Sequence, residues 1–317
     1  MKEVKYTFCL AAWKIAFLED TIKSILNQTY RDFLLVISDD CSPEDIKGIV
    51  SHFDDNRIIY IRNEKNIGGY NLVDHWNLQL NRDAHSEYVI MASDDDIYDE
   101  DFLSTIDTLT AKYPKVDLLR ARCKNTDSKG IVNFIDDPSD EYQSELKFAA
   151  DLYNGRHIRS FANFVFKTEA VKHKGGFINF PYAWYADAVS TLMMAKNGVA
   201  HTTKPLFSYR SSGLAISGTT KSEDITRGKM EAALMNYDWM NSYIGNMKFE
   251  QTAYNTNLYN TLIRNSRHDS YATIISYFWA YSLLEKIGIY KRIKKETYFS
   301  KSSFGKELFL FYMGKFA

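Results

Sequence analysis

Five short apolar runs alternate with helix-period segments over the first 120 residues, and that alternation restricts the fold class most strongly. Tyr6–Ala11, Phe33–Ile37, Arg57–Ile61, Glu87–Ala92 and Asp117–Arg120 read as strands, several continuously apolar, as buried parallel strands are. Between them, Leu18, Ile22, Ile25 and Leu26 recur at helical spacing. Pro43 opens a second helix with Ser42 as its cap, and Tyr70–Leu80 and Asp99–Lys112 read as two more. The rhythm predicts an α/β fold: a mixed, mostly parallel sheet flanked by helices. Residues 121–180 are less regular, and from about Lys221 the pattern is helical to the end. The expected organisation is therefore a sheet domain over 1–220 and a helical, basic and aromatic region over 221–317.

The 317 residues are 45% hydrophobic and 25% charged, enough for a large core without disulfides or structural metal. Cys9, Cys41 and Cys123 are far apart and form no C-x-x-C pair, which fits a reducing compartment and the cytoplasm. No signal-peptide stretch is read in MKEVKYTFCLAAWK. The longest apolar run, Ile274–Leu284, is shorter than the roughly 20 residues a spanning helix needs. Residues 1–100 carry 19 acids and 10 bases, whereas 201–317 carry 9 acids and 16 bases, a split from −9 to +7. No long basic stripe supports a nucleic-acid partner.

Open α/β sheets bind ligands at the carboxyl ends of their strands. Two acidic clusters are expected there. Asp94-Asp95-Asp96 follows one strand, and adjacent carboxylates suit a hard divalent cation, Mn²⁺ or Mg²⁺, or else form a solvated turn ahead of a helix. Asp39-Asp40 follows another and can accept from a ribose or a base N–H, or cap a helix. Asn66-Ile67-Gly68-Gly69 is a glycine turn, but G-x-G-x-x-G, P-loop, H-E-x-x-H and G-x-S-x-G patterns are absent. Asn27-Gln28-Thr29 matches a glycosylation sequon but sits at a predicted helix end, so it reads as structural.

In order, the chain presents Ser24-Ile25-Leu26-Asn27-Gln28-Thr29-Tyr30, a strand ending Asp39-Asp40-Cys41-Ser42, Asn66-Ile67-Gly68, and a strand ending Ser93-Asp94-Asp95-Asp96. Over roughly residues 4–215 this resembles the family 2 glycosyltransferases of the GT-A fold. The resemblance implies a nucleotide-sugar donor, of UDP type, contacted by Ala11, Trp13, Asp39, Asp40, Asn66, Gly68, Asp94, Asp95 and Arg210. It implies a D-x-D pair in which Asp96, with Asp94, holds the metal. Trp184-Tyr185-Ala186-Asp187 falls where the family has an E-D motif, which makes Asp187 the expected general base; a helix N-terminal acid is the plainer reading.

The chain departs from the family pattern at four places. Ala11-Ala12-Trp13 stands for P-T-Y, and Ala186 for the first acid of E-D. Ser211-Ser212-Gly213 stands where many members place a histidine, and Tyr70–Asn77 replaces a G-x-x-x-A-R-N stretch. The expected reaction is inverting transfer of a sugar to a hydroxyl of a glycan or lipid-linked acceptor, in polysaccharide assembly at the cell envelope. A nucleotidyltransferase and a non-catalytic nucleotide-sugar binder are the alternatives. The tail, with Tyr271–Leu284 aromatic and Lys286–Lys295 basic, is expected to meet a membrane surface peripherally, or to pack on the sheet domain or on a second copy.

Overall fold

A computed structural model describes residues 4–213 and 222–277, with 281, 282, 285–287 and 289. The first half builds β1 (Tyr6–Ala12), α1 (Leu18–Leu26), β2 (Phe33–Asp39), α2 (Ile46–Val50), β3 (Ile58–Arg62), α3 (Gly68–Arg82), β4 (Tyr88–Ala92), β5 (Ile97–Tyr98) and α4 (Phe102–Lys112). There follow β6 (Leu118–Asp127), β7 (Val132–Ile135), β8 (Tyr142–Gln143), α5 (Glu145–Tyr153), β9 (Phe164–Lys167) and α6 (Thr168–His173). The chain continues through α7 (Ala186–Met194), β10 (Val199–Ser211), α8 (Glu223–Gly245) and α9 (Ala253–Tyr277).

The strands form one sheet in the order β3-β2-β1-β4-β9-β6-β10-β5, with β7 on β6 and β8 on β10. The first four strands in that order are parallel; β9 runs against both β4 and β6, and β10 is parallel to β6. The central strands are buried on both faces. Phe8, Leu10 and Ile90 face a core with α1 and α4, while Cys9, Val89 and Met91 face the opposite core. Strand periodicity of two sends neighbours to opposite faces, so both faces must be covered. The second core continues without a break into Met230, Tyr237, Met240, Leu262 and Ile274 of α8 and α9.

Two local devices explain sequence signals. Gln28, fully buried, donates to the Ser24 and Asp99 carbonyls and accepts the Leu103 N–H, pinning the end of α1 to the start of α4. This is the structural role of the Asn27-Gln28-Thr29 stretch. Gly176 has φ +96°, and a Cβ there would lie 2.5 Å from Asn77 Oδ1. Asn77 grips the next residue at both backbone groups, accepting from Phe177 N and donating to Phe177 O. Only glycine allows that approach without strain.

Several expected boundaries shift by a few residues, and one shift has a visible cause. The second helix begins at Ile46, capped by Asp45, which accepts the Gly48 N–H. Ser42 instead donates its hydroxyl to the Trp13 carbonyl, because the β2 loop must first close over the β1 loop. Among the described residues, no helix is long and apolar enough to cross a membrane. Lys291–Lys295 and Leu308–Tyr312 of the expected membrane-facing tail lie outside the described residues.

Candidate active site

The loops after β1, β2 and β4 meet at the carboxyl edge of the parallel strands, since Leu10 pairs with Ala92 and Ala12 with Asp39. Asp94 Oδ2 accepts the backbone N–H groups of Trp13 (2.9 Å) and Lys14 (2.8 Å). Trp13 is thereby held with its indole 38% exposed, while Ala11 stays within β1 beside Ser38. The Lys14 ammonium bridges the acidic row, 3.1 Å from Asp94 Oδ1 and 3.0 Å from Asp95 Oδ2. Burial alone would lower the Lys14 pKa, but the two carboxylates outweigh it and hold it above the usual lysine range.

Asp95 is partly exposed and also accepts from the Ser212 hydroxyl at 3.1 Å. Asp96 is turned inward and 2% exposed. Its Oδ1 accepts the Arg210 N–H (2.9 Å) and its Oδ2 the Ser93 hydroxyl. Burial first, then the Asp95 charge, pushes its pKa up to about 7. Arg210 donates Nε to the Asp95 carbonyl (2.9 Å), sits 4.3 Å over the Phe17 ring and lies 3.6 Å from Asp20. β10 is thus clamped to the β4 loop by both the backbone and the side chain of Arg210.

Asp39 and Asp40 have their acceptor capacity filled by the protein. Asp39 receives Ser42 N, Tyr60 OH and the Arg62 guanidinium. Asp40 receives Asn63 and Asn66 side chains and the Ile67 and Gly68 N–H groups. Asp40 therefore caps α3, and Asn66 and Gly68 serve that cap. Cys41, directly after Asp40, has φ +57°, a strained turn for a non-glycine residue.

The chain delivers Asp187 to the same edge of the sheet. Phe177 is bound beside Asn77 and Asn179 beside Asp74, so this segment climbs along α3 toward its N-terminus. After α7, β10 starts opposite the beginning of β6, at Val199 and Leu118, so α7 starts at the upper end. Tyr182, Ala183 and Tyr185 all have positive φ just before it. Such strain is held by packing: Tyr182 lies against Gly228 of α8, and the Tyr185 hydroxyl donates to the Asp269 carbonyl of α9. Asp187 Oδ1 accepts the Ala188 N–H, and the residue remains partly exposed. Burial raises its pKa, opposed by that N–H and by the charge of Arg159, which is paired with Asp269 at 2.9 Å. Trp184 carries the Lys229 ammonium 4.4 Å above its ring. A partly exposed carboxylate of raised pKa at the start of α7 suits the deprotonation of a hydroxyl brought within hydrogen-bond reach.

The residues as arranged do not assemble a divalent-metal site. Lys14 holds Asp94 and Asp95, the oxygens of Asp96 are engaged internally, and Ser211 and Ser212 offer no imidazole. Among the described residues, no three His, Cys, Asp or Glu side chains gather to hold a metal ion. Lys14 is the site residue the motif comparison missed. Its signal lay in the strand order: β1 and β4 are neighbours, so residues just past their ends must face each other.

Residues 14–173 match the family described as Glycosyl transferase family 2, half of the chain, and the chain belongs to that family of glycosyltransferases. It is 38% identical over 91 residues to a GalNAc(5)-diNAcBac-PP-undecaprenol beta-1,3-glucosyltransferase of Campylobacter jejuni, a match spanning 28% of each chain. Its fold is similar to that of S. aureus TarS 1–349, solved in complex with UDP-GlcNAc, at TM-score 0.62 and 17% identity, over 86% of this chain and 79% of that one. It is also similar to the mannosyltransferase PcManGT of Pyrobaculum calidifontis, solved with GDP-Man and Mn²⁺, at TM-score 0.54 and 14% identity, over 97% and 86%. The architecture is GT-A, a mixed and mostly parallel sheet with C-terminal helices.

Proposed function

We propose that this glycosyltransferase moves a hexosyl or N-acetylhexosaminyl group from a UDP-sugar to a hydroxyl of a glycan or lipid-linked acceptor, inverting the anomeric centre. The observation that carries this reading is the arrival of two unlike groups at one sheet edge. The Lys14–Arg210 cations sit over the β4 loop, and Asp187 opens α7 beside Trp184. Departure of the nucleoside diphosphate builds negative charge, which preorganised cations stabilise. Asp187 takes the proton of the attacking hydroxyl, and a base facing the leaving group makes displacement single-step. The UDP-GlcNAc held by TarS and the lipid-linked substrate named for the Campylobacter relative support the donor and acceptor classes.

Trp13 and Ala11 border the nucleoside, with Asp39 and Asp40 shaping the pocket through the turn and helix they cap rather than touching the base. A cytoplasmic enzyme visiting the inner face of the membrane, as monomer or dimer, fits this acceptor class. A metal-assisted variant, with Mn²⁺ or Mg²⁺ on Asp96 and Asp94, draws on the row of three aspartates and on the Mn²⁺ of the mannosyltransferase neighbour, and requires Lys14 to leave the acidic row.

Thermal denaturation with a panel of UDP- and GDP-sugars tests the donor class. Ligand at a hundred times its Kd adds about 2.7 kcal/mol of stability, a shift of several degrees. A UDP-sugar is expected to produce it; a panel with no shift from any nucleotide sugar sinks the reading.

A further inference from the structure

We infer that Lys14 takes the place of a divalent cation at the β4 loop, so that this enzyme binds the donor diphosphate through its own ammonium without metal. The inference rests on the donor reading above. Lys14 is bound to Asp94 twice, through its backbone N–H at 2.8 Å and its ammonium at 3.1 Å, and to Asp95 at 3.0 Å. The Trp13 N–H fills the rest of the same Asp94 oxygen. A metal ion entering between Asp94 and Asp95 would have to expel a cation tethered two residues from the strand end.

One ammonium donor is left for a ligand. An ammonium carries three N–H groups, and two are spent on Asp94 and Asp95. Among the described residues no other acceptor engages the third, and the side chain is 23% exposed. Arg210 lies on the other side of the same loop, its Nε on the Asp95 carbonyl and its terminal nitrogens toward Ser128 O and Asp20. Lys14 offers its third N–H to a diphosphate, and Arg210, 8% exposed and engaged by the protein, adds fixed positive charge beside Asp95.

The test titrates UDP into wild type, Lys14→Gln and Lys14→Arg by calorimetry, each in EDTA and in Mn²⁺. Manganese alone is titrated in parallel, with free Mn²⁺ read by electron paramagnetic resonance. Wild type should bind UDP within about twofold in both buffers and hold no Mn²⁺ by itself. Lys14→Gln should lose about tenfold or more in EDTA, the worth of a charge-assisted hydrogen bond, and should gain Mn²⁺ binding at the vacated carboxylates. Lys14→Arg keeps a cation in place and should stay insensitive to EDTA, which separates loss of charge from loss of fold. Tenfold weaker UDP binding by wild type in EDTA overturns the inference while leaving the donor reading intact. Absence of UDP binding by wild type in both buffers overturns both.

Discussion

Asp187→Asn is expected to lose at least about two decades of sugar transfer while UDP binding is kept, because positioned general-base catalysis contributes roughly 10²–10⁴-fold. Asparagine preserves size and can still accept the Ala188 N–H, so α7 should start where it does now. The change removes only the capacity to take a proton. In the proposed reading, donor binding rests elsewhere, on Lys14, Arg210 and the loops that Asp94 and Asp40 tie together. Transfer rates at saturating donor, with UDP affinity by calorimetry, separate the two effects. A variant that turns over normally makes Asp187 a helix-start acid and returns the search to other carboxylates at the sheet edge. Loss of UDP binding together with turnover would place Asp187 on the donor side and contradict the division of labour.

Acid lability is the second large effect expected. His157 and His201 are 4% and 1% exposed and stack at 5.6 Å beside Phe148. Neither ring nitrogen of His201 meets a hydrogen-bonding partner among the described residues. Burial lowers both pKa values, and the Arg120 charge lowers them further, with Lys147 adding to it. Arg120 is paired with Asp136, and Lys147 with Asp151. In the unfolded chain each histidine takes a proton near about pH 6.5; in the folded chain each does so only at lower pH. The unfolded state therefore binds more protons below about pH 6.5, and stability is full above that value and lost as pH falls beneath it. Two such groups cost about 2.7 kcal/mol per pH unit, against a typical total of 5–15 kcal/mol. Denaturant unfolding from pH 7.5 to 5 should show that slope, and His157→Phe with His201→Phe should flatten it. Equal slopes in the two proteins would mean that other groups govern acid unfolding.

The sheet was readable because its strands are buried on both faces, so Phe33–Ile37 and Val89–Met91 appear as unbroken apolar runs. The short β5, β7 and β8 were not, since two to four residues carry no periodicity and form only against β6 and β10. Asp94 and Asp95 were legible as chemistry because three adjacent carboxylates need a counter-charge. What supplies that charge was not, because Lys14 reaches them across 80 positions of sequence. Asp39 and Asp40 carry a second task that a strand-end acid pair does not advertise: four side chains and three backbone N–H groups of the protein donate to them, from positions up to 28 residues away. The start of α7 depends on α8 and α9 packing on the left-handed Tyr182 and Tyr185, a tertiary effect with no local signature.

The most direct measurement follows the anomeric proton by ¹H NMR as the purified protein is given an α-linked UDP-sugar and a glycan or lipid-linked acceptor. The account expects the α-anomeric signal of the donor to be replaced by a β-linked product, with one UDP released per sugar transferred. A product that keeps the α configuration, or an untouched donor across the UDP-sugar panel, would contradict it.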